Sequence, residues 1–314
     1  VIKKHAQLII VSDLDGSLLD HHSYSFEPAR PLLKWLDFAS VPVVLCTSKT
    51  HSEVLSLRQT LGNDSPFIVE NGAAVYLPKS EFHYQPEGTE GVGDFWCKTF
   101  CQRREHWLKL LEEAKLHFDL DGKLEHFAEM SAERVAEVTG LDVQLAAQAK
   151  EREFGEPLRW LGTEEELLVF SQWFRDRGAN VLHGGRFVHL AGDADKGRAM
   201  TWLVKQYQLQ KRESQQHQFR VQHHHPSFQQ HFQNQQNGVR TLSIALGDSQ
   251  NDVAMLECAD RAVVIRSPSH EPPKLSRKHG YWVSESTGPM GWTEGINHWL
   301  EELQSQGEIE LFSV

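Results

Sequence analysis

A chain of 314 residues is longer than one hydrophobic core normally serves and predicts two domains. With 39% hydrophobic and 24% charged residues and no apolar run near the ~20 residues that a membrane helix needs, insertion into a bilayer is set aside. A formal net charge of −11 offers no basic face to nucleic acid and requires a locally positive pocket for any anionic substrate.

The first residues, Val1 to Gln7, carry two lysines, but the apolar stretch after them ends at Val11, too short for a signal-peptide core, so a cytoplasmic protein is expected. Leu8 to Val11 is a run of four aliphatics and predicts a buried strand, which delivers Ser12-Asp13-Leu14-Asp15-Gly16-Ser17 at its carboxyl end. A helix follows over Pro28–Phe38, then a strand over Val41–Cys46 that leads into Thr47-Ser48-Lys49-Thr50. Next come a helix over Thr50–Leu61 ended by Gly62 and a strand over Phe67–Glu70. This βαβαβ order predicts a parallel sheet with right-handed crossovers.

From about His83 to Leu190 the texture changes. Helices are expected over Arg104–Lys115, Ser131–Val138 and Thr163–Arg177, the last opened by the capping box Thr163-Glu164-Glu165-Glu166, with strands at Leu158–Leu161, Val181–His183 and Phe187–Leu190. A block of this length is too long for a loop and reads as an inserted cap domain. The core returns after Gly192-Asp193-Ala194-Asp195-Lys196-Gly197, with strands at Thr241–Leu246 and Ala262–Ile265 around a helix that begins near Asn251. The first of these strands ends in Gly247-Asp248-Ser249-Gln250-Asn251-Asp252. The expected organisation is therefore core over 1–82, cap over 83–190 and core again over 191–314. Its fold class is α/β, with a doubly wound, Rossmann-like parallel-sheet core and an inserted α+β cap. Residues 208–237 hold 11 glutamines and 5 histidines and are expected to be a disordered insertion, in which His223-His224-His225 reads as solvated linker rather than a metal site. Four scattered cysteines, Cys46, Cys97, Cys101 and Cys258, match neither a zinc knuckle nor a redox pair and are expected as buried free thiols.

An Asp-x-Asp pair alone is an ordinary turn feature; the chemistry rests on four signals together. Asp13 reads as a nucleophile that attacks phosphorus in line, and Asp15 as the acid and base that protonates the leaving alkoxide and then deprotonates water. Phosphoryl transfer beside two acids needs cations. Magnesium would take the Asp13 carboxylate, the Asp15 carbonyl and the Asp248 carboxylate, with Asp252 as a ligand or as the group that orients a bound water or Lys196. Lys196 supplies a second positive charge, and the Thr47 hydroxyl with the following N–H groups, at Ser48 and Lys49, would cradle phosphate at a helix N-terminus. Capping that helix is the alternative role of Thr47.

In this order the signals resemble the haloacid dehalogenase superfamily: Asp13 and Asp15 match its first motif, Thr47 the second, Lys196 the third, and Asp248 with Asp252 the fourth. A narrower resemblance, to the mannosyl-3-phosphoglycerate phosphatase family, is carried by Thr47-Ser48-Lys49-Thr50, Glu70-Asn71-Gly72-Ala73, Arg152-Glu153-Phe154-Gly155-Glu156-Pro157 and Gly184-Gly185-Arg186-Phe187. It implies magnesium-dependent hydrolysis of a small phosphorylated sugar-glycerate to mannosylglycerate, a compatible solute. For such a substrate Arg152 or Arg186 would hold the glycerate carboxylate, Glu156 and Asn71 the sugar hydroxyls, and Ser48, Lys49 and Asn251 complete the candidate binding set. Ser17 stands where threonine is commoner and Gln250 where proline is, and neither change removes a functional group. A glucosyl substrate, another sugar phosphate, a phosphomutase and a non-catalytic sugar-phosphate sensor are the competing readings, and the oligomeric state is open.

Overall fold

The computed structural model describes residues 6–183, 187–222 and 240–309. Its first strand, β1 (Ala6–Ser12), lies between β2 (Val43–Cys46) and β11 (Arg240–Gly247), parallel to both. Side chains alternate across a strand, and β1 obeys this: Leu8 and Ile10 pack into one core, Ile9 and Val11 into another on the opposite face. A strand with apolar residues on both sides needs cover on both, which explains its continuous aliphatic run. Helices α1 (Arg30–Phe38) and α9 (Gly288–Ser305) cover the first face through Leu36, Trp292, Ile296 and Trp299. Helices α7 (Lys196–Gln222) and α8 (Val253–Cys258) cover the second through Met200, Leu203, Met255 and Leu256.

The remaining strands of this sheet are β3 (Phe67–Val69), β4 (Ala74–Pro78), β5 (Glu90–Val92), β6 (Phe95–Thr99), β12 (Arg261–Arg266) and β13 (Tyr281–Thr287). The order across it is β13-β12-β11-β1-β2-β3-β4-β6-β5. From β13 to β3 neighbours run parallel, whereas β4, β6 and β5 extend the sheet antiparallel. The parallel sheet expected from the βαβαβ order thus carries an antiparallel margin, and the sheet runs on to Thr99, beyond residue 82 where the cap was expected to begin, because β6 pairs with β4 from Ala74 to Pro78.

A second sheet, ordered β7-β8-β10-β9, is antiparallel and is formed by β7 (Leu124–His126), β8 (Gly155–Trp160), β9 (Asn180–His183) and β10 (Val188–Ala191). Helices α3 (Arg104–His117) and α6 (Glu164–Arg175) pack on it around Trp107, Leu111, Phe170 and Phe174, while α4 (Ala132–Thr139) and α5 (Val143–Lys150) gather a smaller cluster around Phe127 and Val135. The Thr163 capping box forms as expected, with Glu166 returning to the Thr163 N–H at 2.9 Å.

Residues 208–222 were expected to lack structure but continue α7, since glutamine is a fair helix former and a helix already begun at Lys196 propagates easily. The rest of the insertion, His223 to His225 included, lies outside the described residues. All four cysteines are free thiols, but only Cys46 and Cys97 are buried; Cys101 is half-buried and Cys258 is exposed at the last position of α8, beyond the Met255–Leu256 face that meets the sheet. Among the described residues no helix is long and apolar enough to cross a membrane.

Candidate active site

Strand order reverses around β1, whose two neighbours come from distant parts of the chain, and in open α/β sheets such a switch point opens a crevice at the carboxyl ends of the strands. There β1 delivers Asp13, β2 delivers Thr47 and β11 delivers Asp248. The Asp13 N–H donates to the Leu246 carbonyl at 2.9 Å, and the Thr47 N–H to that of Ile68 at 3.0 Å, so both residues extend the ladder before the chain turns away. From α9, Trp292 donates its indole N–H to Ser12 Oγ at 2.9 Å, and Ser12 in turn donates to the Asp13 carbonyl at 2.6 Å. The nucleophile candidate is thereby fixed from its own backbone.

Lys196, the first residue of α7, is buried at 1% exposure and places Nζ 2.7 Å from both Asp13 Oδ1 and Asp252 Oδ1. Asp252 is spent on positioning, since its second oxygen accepts the Ser249 N–H at 3.1 Å. Asp13, Asp248 and Asp252 bring one oxygen each to within 4.8 Å of one another. Three buried carboxylates against one ammonium leave negative charge in excess. Burial, then Asp252, pushes the Asp13 carboxyl up to about 8, and burial with Asp252 also raises Asp248. Burial pulls Lys196 down, but Asp13 and Asp252 outweigh it and keep the ammonium charged. A cluster of hard oxygen donors with surplus negative charge fits a divalent cation such as magnesium.

Two backbone features shape this cluster. Gly16 has φ +82°, and a side chain there would bring Cβ to 2.5 Å from Asp248 Oδ2. Gly72 has φ +94° and packs on the backbone of Asp195, where a Cβ would come within 2.3 Å of the carbonyl oxygen; this brings the 70–72 turn onto the segment that leads into Lys196.

The other candidate residues divide. Thr47 is buried, accepts the Lys49 N–H on Oγ1 at 3.2 Å, and takes the Asn71 N–H on its carbonyl at 2.9 Å. Capping of α2 (His51–Leu61), considered for Thr47, falls to Thr50, whose side chain and Glu53 form a reciprocal capping box. Lys49 is paired with Asp15 at 2.7 Å, and Asp15 Oδ1 is buried without a hydrogen-bond partner among the described residues. Asn71 and Asn251, far apart in the chain, meet at 3.1 Å through Oδ1 and Nδ2. Arg152 reaches the Ser48 carbonyl at 3.1 Å and, with Asn71, Asn180 and His189, lines a cleft between the two sheets.

Glu156, expected to meet sugar hydroxyls, is instead fully buried inside the second sheet. Its carboxylate is taken by Arg104, by His126 at 3.0 Å and by the Ala128 N–H at 2.8 Å. These charged bonds hold its carboxyl below the usual range despite burial, which pulls the other way. Arg186 lies outside the described residues.

Three residues near the site escaped the sequence reading. His270 stands 3.4 Å from Asp248 Oδ2, but it comes from a Ser-Pro-Ser-His-Glu-Pro-Pro loop with no pattern to flag it. His189 sits on β10, where alternation alone marked it as a strand residue; burial and then Arg152 push its imidazole down to about 4. Glu70, buried beneath the cleft, looked like the last residue of a strand.

A family model described as haloacid dehalogenase-like hydrolase matches residues 10–214. The chain is 32% identical over 292 residues to a glucosyl-3-phosphoglycerate/mannosyl-3-phosphoglycerate phosphatase of Methanococcoides burtonii, an alignment covering 92% of this chain and 95% of the relative. Among solved structures, a haloacid dehalogenase-like hydrolase from Bacteroides thetaiotaomicron matches with a TM-score of 0.59 at 16% identity, over 96% of this chain and 100% of the other. A protein of Thermotoga maritima matches with a TM-score of 0.58 at 19% identity, over 94% and 96% of the two chains. At these identities the two structures speak to the fold.

Proposed function

The chain belongs to the haloacid dehalogenase-like hydrolases and is a phosphoric monoester hydrolase; on that premise we propose that it removes the phosphate of mannosyl-3-phosphoglycerate with the aid of magnesium. The observation that carries the substrate is the extent of the relative's similarity, which at 92% of the chain takes in the second sheet as well as the first. A glucosyl substrate is the second reading, because the same relative is named for both compounds. The two sugars differ in the orientation of one hydroxyl, a difference of a few hydrogen bonds.

In this reading an oxygen of Asp13 attacks phosphorus, the bond from phosphorus to the substrate's ester oxygen breaks, and Asp15 gives that oxygen its proton. Water then attacks the aspartyl-phosphate, Asp15 takes the water's proton, and inorganic phosphate leaves with Asp13 restored. Lys196, already 2.7 Å from Asp13, balances charge on the nucleophile and on the phosphoryl oxygens. Asp13, the Asp15 carbonyl and Asp248 would hold magnesium, with Asp252 fixing Lys196 beside them. When bound, the ion supplies electrostatic stabilisation of the phosphoryl oxygens. Thr47 and the Ser48 and Lys49 segment would receive the phosphate, while Arg152, Asn71 and Asn251 face the rest of the substrate across the cleft. A small phosphorylated sugar-glycerate is then the partner of this site.

The test is phosphate release in magnesium and in EDTA from mannosyl-3-phosphoglycerate, its glucosyl analogue, mannose 6-phosphate and 3-phosphoglycerate. A preference of at least ~10²-fold in kcat/KM for a hexosyl-3-phosphoglycerate over the last two, lost in EDTA, is expected. Equal slow rates on all four would overturn the substrate while leaving the phosphatase.

Gly16 gives an independent test of the cation. Gly16→Ala must strain a left-handed position and push Asp248 aside, since the new Cβ lies 2.5 Å from its Oδ2. The magnesium concentration for half-maximal activity is expected to rise by about 10–100-fold, the usual effect of disturbing a ligand's support. An unchanged magnesium requirement would remove Asp248 from the ligand set.

A further inference from the structure

Glu70 is a core residue that grips the second sheet's backbone. Its Oε1 accepts the Glu153 N–H at 2.7 Å, and its Oε2 accepts those of Gly155 at 3.0 Å and Phe154 at 3.3 Å, with Arg152 Nε 3.2 Å away. Three consecutive amides converging on one buried carboxylate form an anion nest, here filled by a side chain from 83 to 85 residues earlier in the chain. The same residue is anchored on its other side to the loop proposed to receive phosphate. Its N–H donates to the Lys49 carbonyl at 3.0 Å, and that of its neighbour Asn71 to the Thr47 carbonyl at 2.9 Å.

The conformation needed to do this is strained. Glu70, Asn71 and Gly72 have φ of +46°, +60° and +94°, and two of the three are not glycine. Such a turn persists only where its surroundings over-determine it, and it marks functional junctions more often than ordinary loops. What the turn achieves is a direct mechanical link. Residues 152–155 lead into β8, at the base of the second sheet, and Arg152, the first of them, projects back to the Ser48 carbonyl. A second link joins α2 to α5, where the buried Thr50 donates to the Gln148 carbonyl and Gln148 donates to Ser56.

We propose that Glu70 is a positioning residue that seats the second sheet over the catalytic centre and so places Arg152 for substrates that extend beyond their phosphate. The inference rests on the phosphatase reading above, and on Arg152 as a substrate contact. Glu70 touches no reacting atom in it. Its influence falls on recognition of the part of the substrate remote from phosphorus and leaves the chemistry at Asp13 unchanged.

Glu70→Gln separates the two. A glutamine keeps the shape but offers one acceptor oxygen where two served, turns an N–H toward the amide donors, and loses the charge facing Arg152. With p-nitrophenyl phosphate, which needs the core site alone, kcat/KM is expected within twofold of the parent. With mannosyl-3-phosphoglycerate, KM is expected to rise at least about tenfold with kcat within threefold, the signature of lost ground-state and transition-state binding alike. Glu70→Asp, which restores the charge on a shorter stem, should recover part of the KM. Hydrogen exchange supplies a measurement free of activity: in Glu70→Ala the amides of residues 153–155 should exchange faster while those of β1 and β11 keep their protection. Equal losses on both substrates, or unchanged exchange at 153–155, would overturn the proposal. If the parent cleaves p-nitrophenyl phosphate but not the mannosyl ester, the substrate reading falls, and the exchange result alone decides for or against Glu70.

Discussion

Asp13→Asn is expected to abolish phosphate release, with kcat lower by on the order of 10⁶-fold, as removal of a catalytic nucleophile generally is, while the folded protein becomes no less stable. The amide is nearly the shape of the carboxylate, and its oxygen can still accept from Lys196, which keeps Asp252 as a charged partner at 2.7 Å. What disappears is the charge proposed to attack phosphorus. That charge is also unfavourable in place: burial and Asp252 hold the Asp13 carboxyl at about 8, against 3.8 ordinarily. A group whose pKa is raised on folding favours the native state at low pH and loses that contribution as pH climbs toward the folded value. In EDTA, therefore, the variant should melt above the parent, by a margin that widens between about pH 4 and about pH 8. Thermal unfolding across that range, with mass spectrometry of quenched enzyme to look for phosphorylated Asp13 in the parent only, checks both halves. Parent-level turnover by the variant would sink the mechanism, and a variant markedly less stable than the parent would show that the carboxylate is structural. Function here would be held at some expense of stability, a common state of active sites.

The family and the architecture were legible because the most buried parts of the core have the plainest sequence signals. Four aliphatics followed by Asp-x-Asp-Gly forecast β1 and its turn, and Thr50, Gly62 and Thr163 mark helix ends through side-chain chemistry that acts within three residues. The antiparallel margin was less legible. Strand β5 is three residues, Glu90-Gly91-Val92, of which only Val92 favours a strand, and it exists because Trp96 and its neighbours pair with it across a tight hairpin. Strand β13 and helix α9 were missed although α9 buries Trp292, Ile296, Trp299 and Leu303. Its opening Gly-Pro-Met-Gly reads as a turn, and only packing against the sheet makes it a helix.

The candidate site divides along the same line. Of the residues tied to motifs, Asp13, Lys196, Asp248 and Asp252 come together in the structure, and Thr47 ends the neighbouring strand β2. Those chosen for chemistry alone fared differently: a glutamate on a cap strand suits a sugar hydroxyl or an internal ion pair equally well, and Glu156 proved to be the second because Arg104 and His126 lie on the strands and helices packed around it. Glu70 was marked only as part of the Glu70-Asn71-Gly72-Ala73 motif, and its role was hidden because a left-handed glutamate has no local signature and its partners are more than eighty residues away.

Lys196→Met should cost about 3–5 kcal/mol of stability, the usual penalty for stripping one partner from a buried ion pair, together with at least ~10³-fold in kcat. Methionine fills much of the lysine's volume, so the loss is one of charge rather than packing. Without the ammonium, Asp13 and Asp252 face each other in a space where Lys196 itself is only 1% exposed, and Asp248 stands beside them. Two treatments should then restore stability to the variant more than to the parent. Acid protonates the carboxylates, and millimolar magnesium supplies the missing positive charge by binding the native state alone. Neither should restore turnover, because in the proposed mechanism the nucleophile and the phosphoryl oxygens have lost the cation that meets both. Lys196→Arg is no substitute: the guanidinium is planar and larger, whereas the lysine places a point charge 2.7 Å from each of two oxygens, one after β1 and one in the turn before α8. Unfolding in EDTA and in magnesium, followed at pH 5 and pH 8, distinguishes the possibilities. A variant as stable as the parent in EDTA at pH 8 would mean that the two aspartates are not held apart by this lysine, and the charge balance on which the whole site has been read would have to be drawn differently.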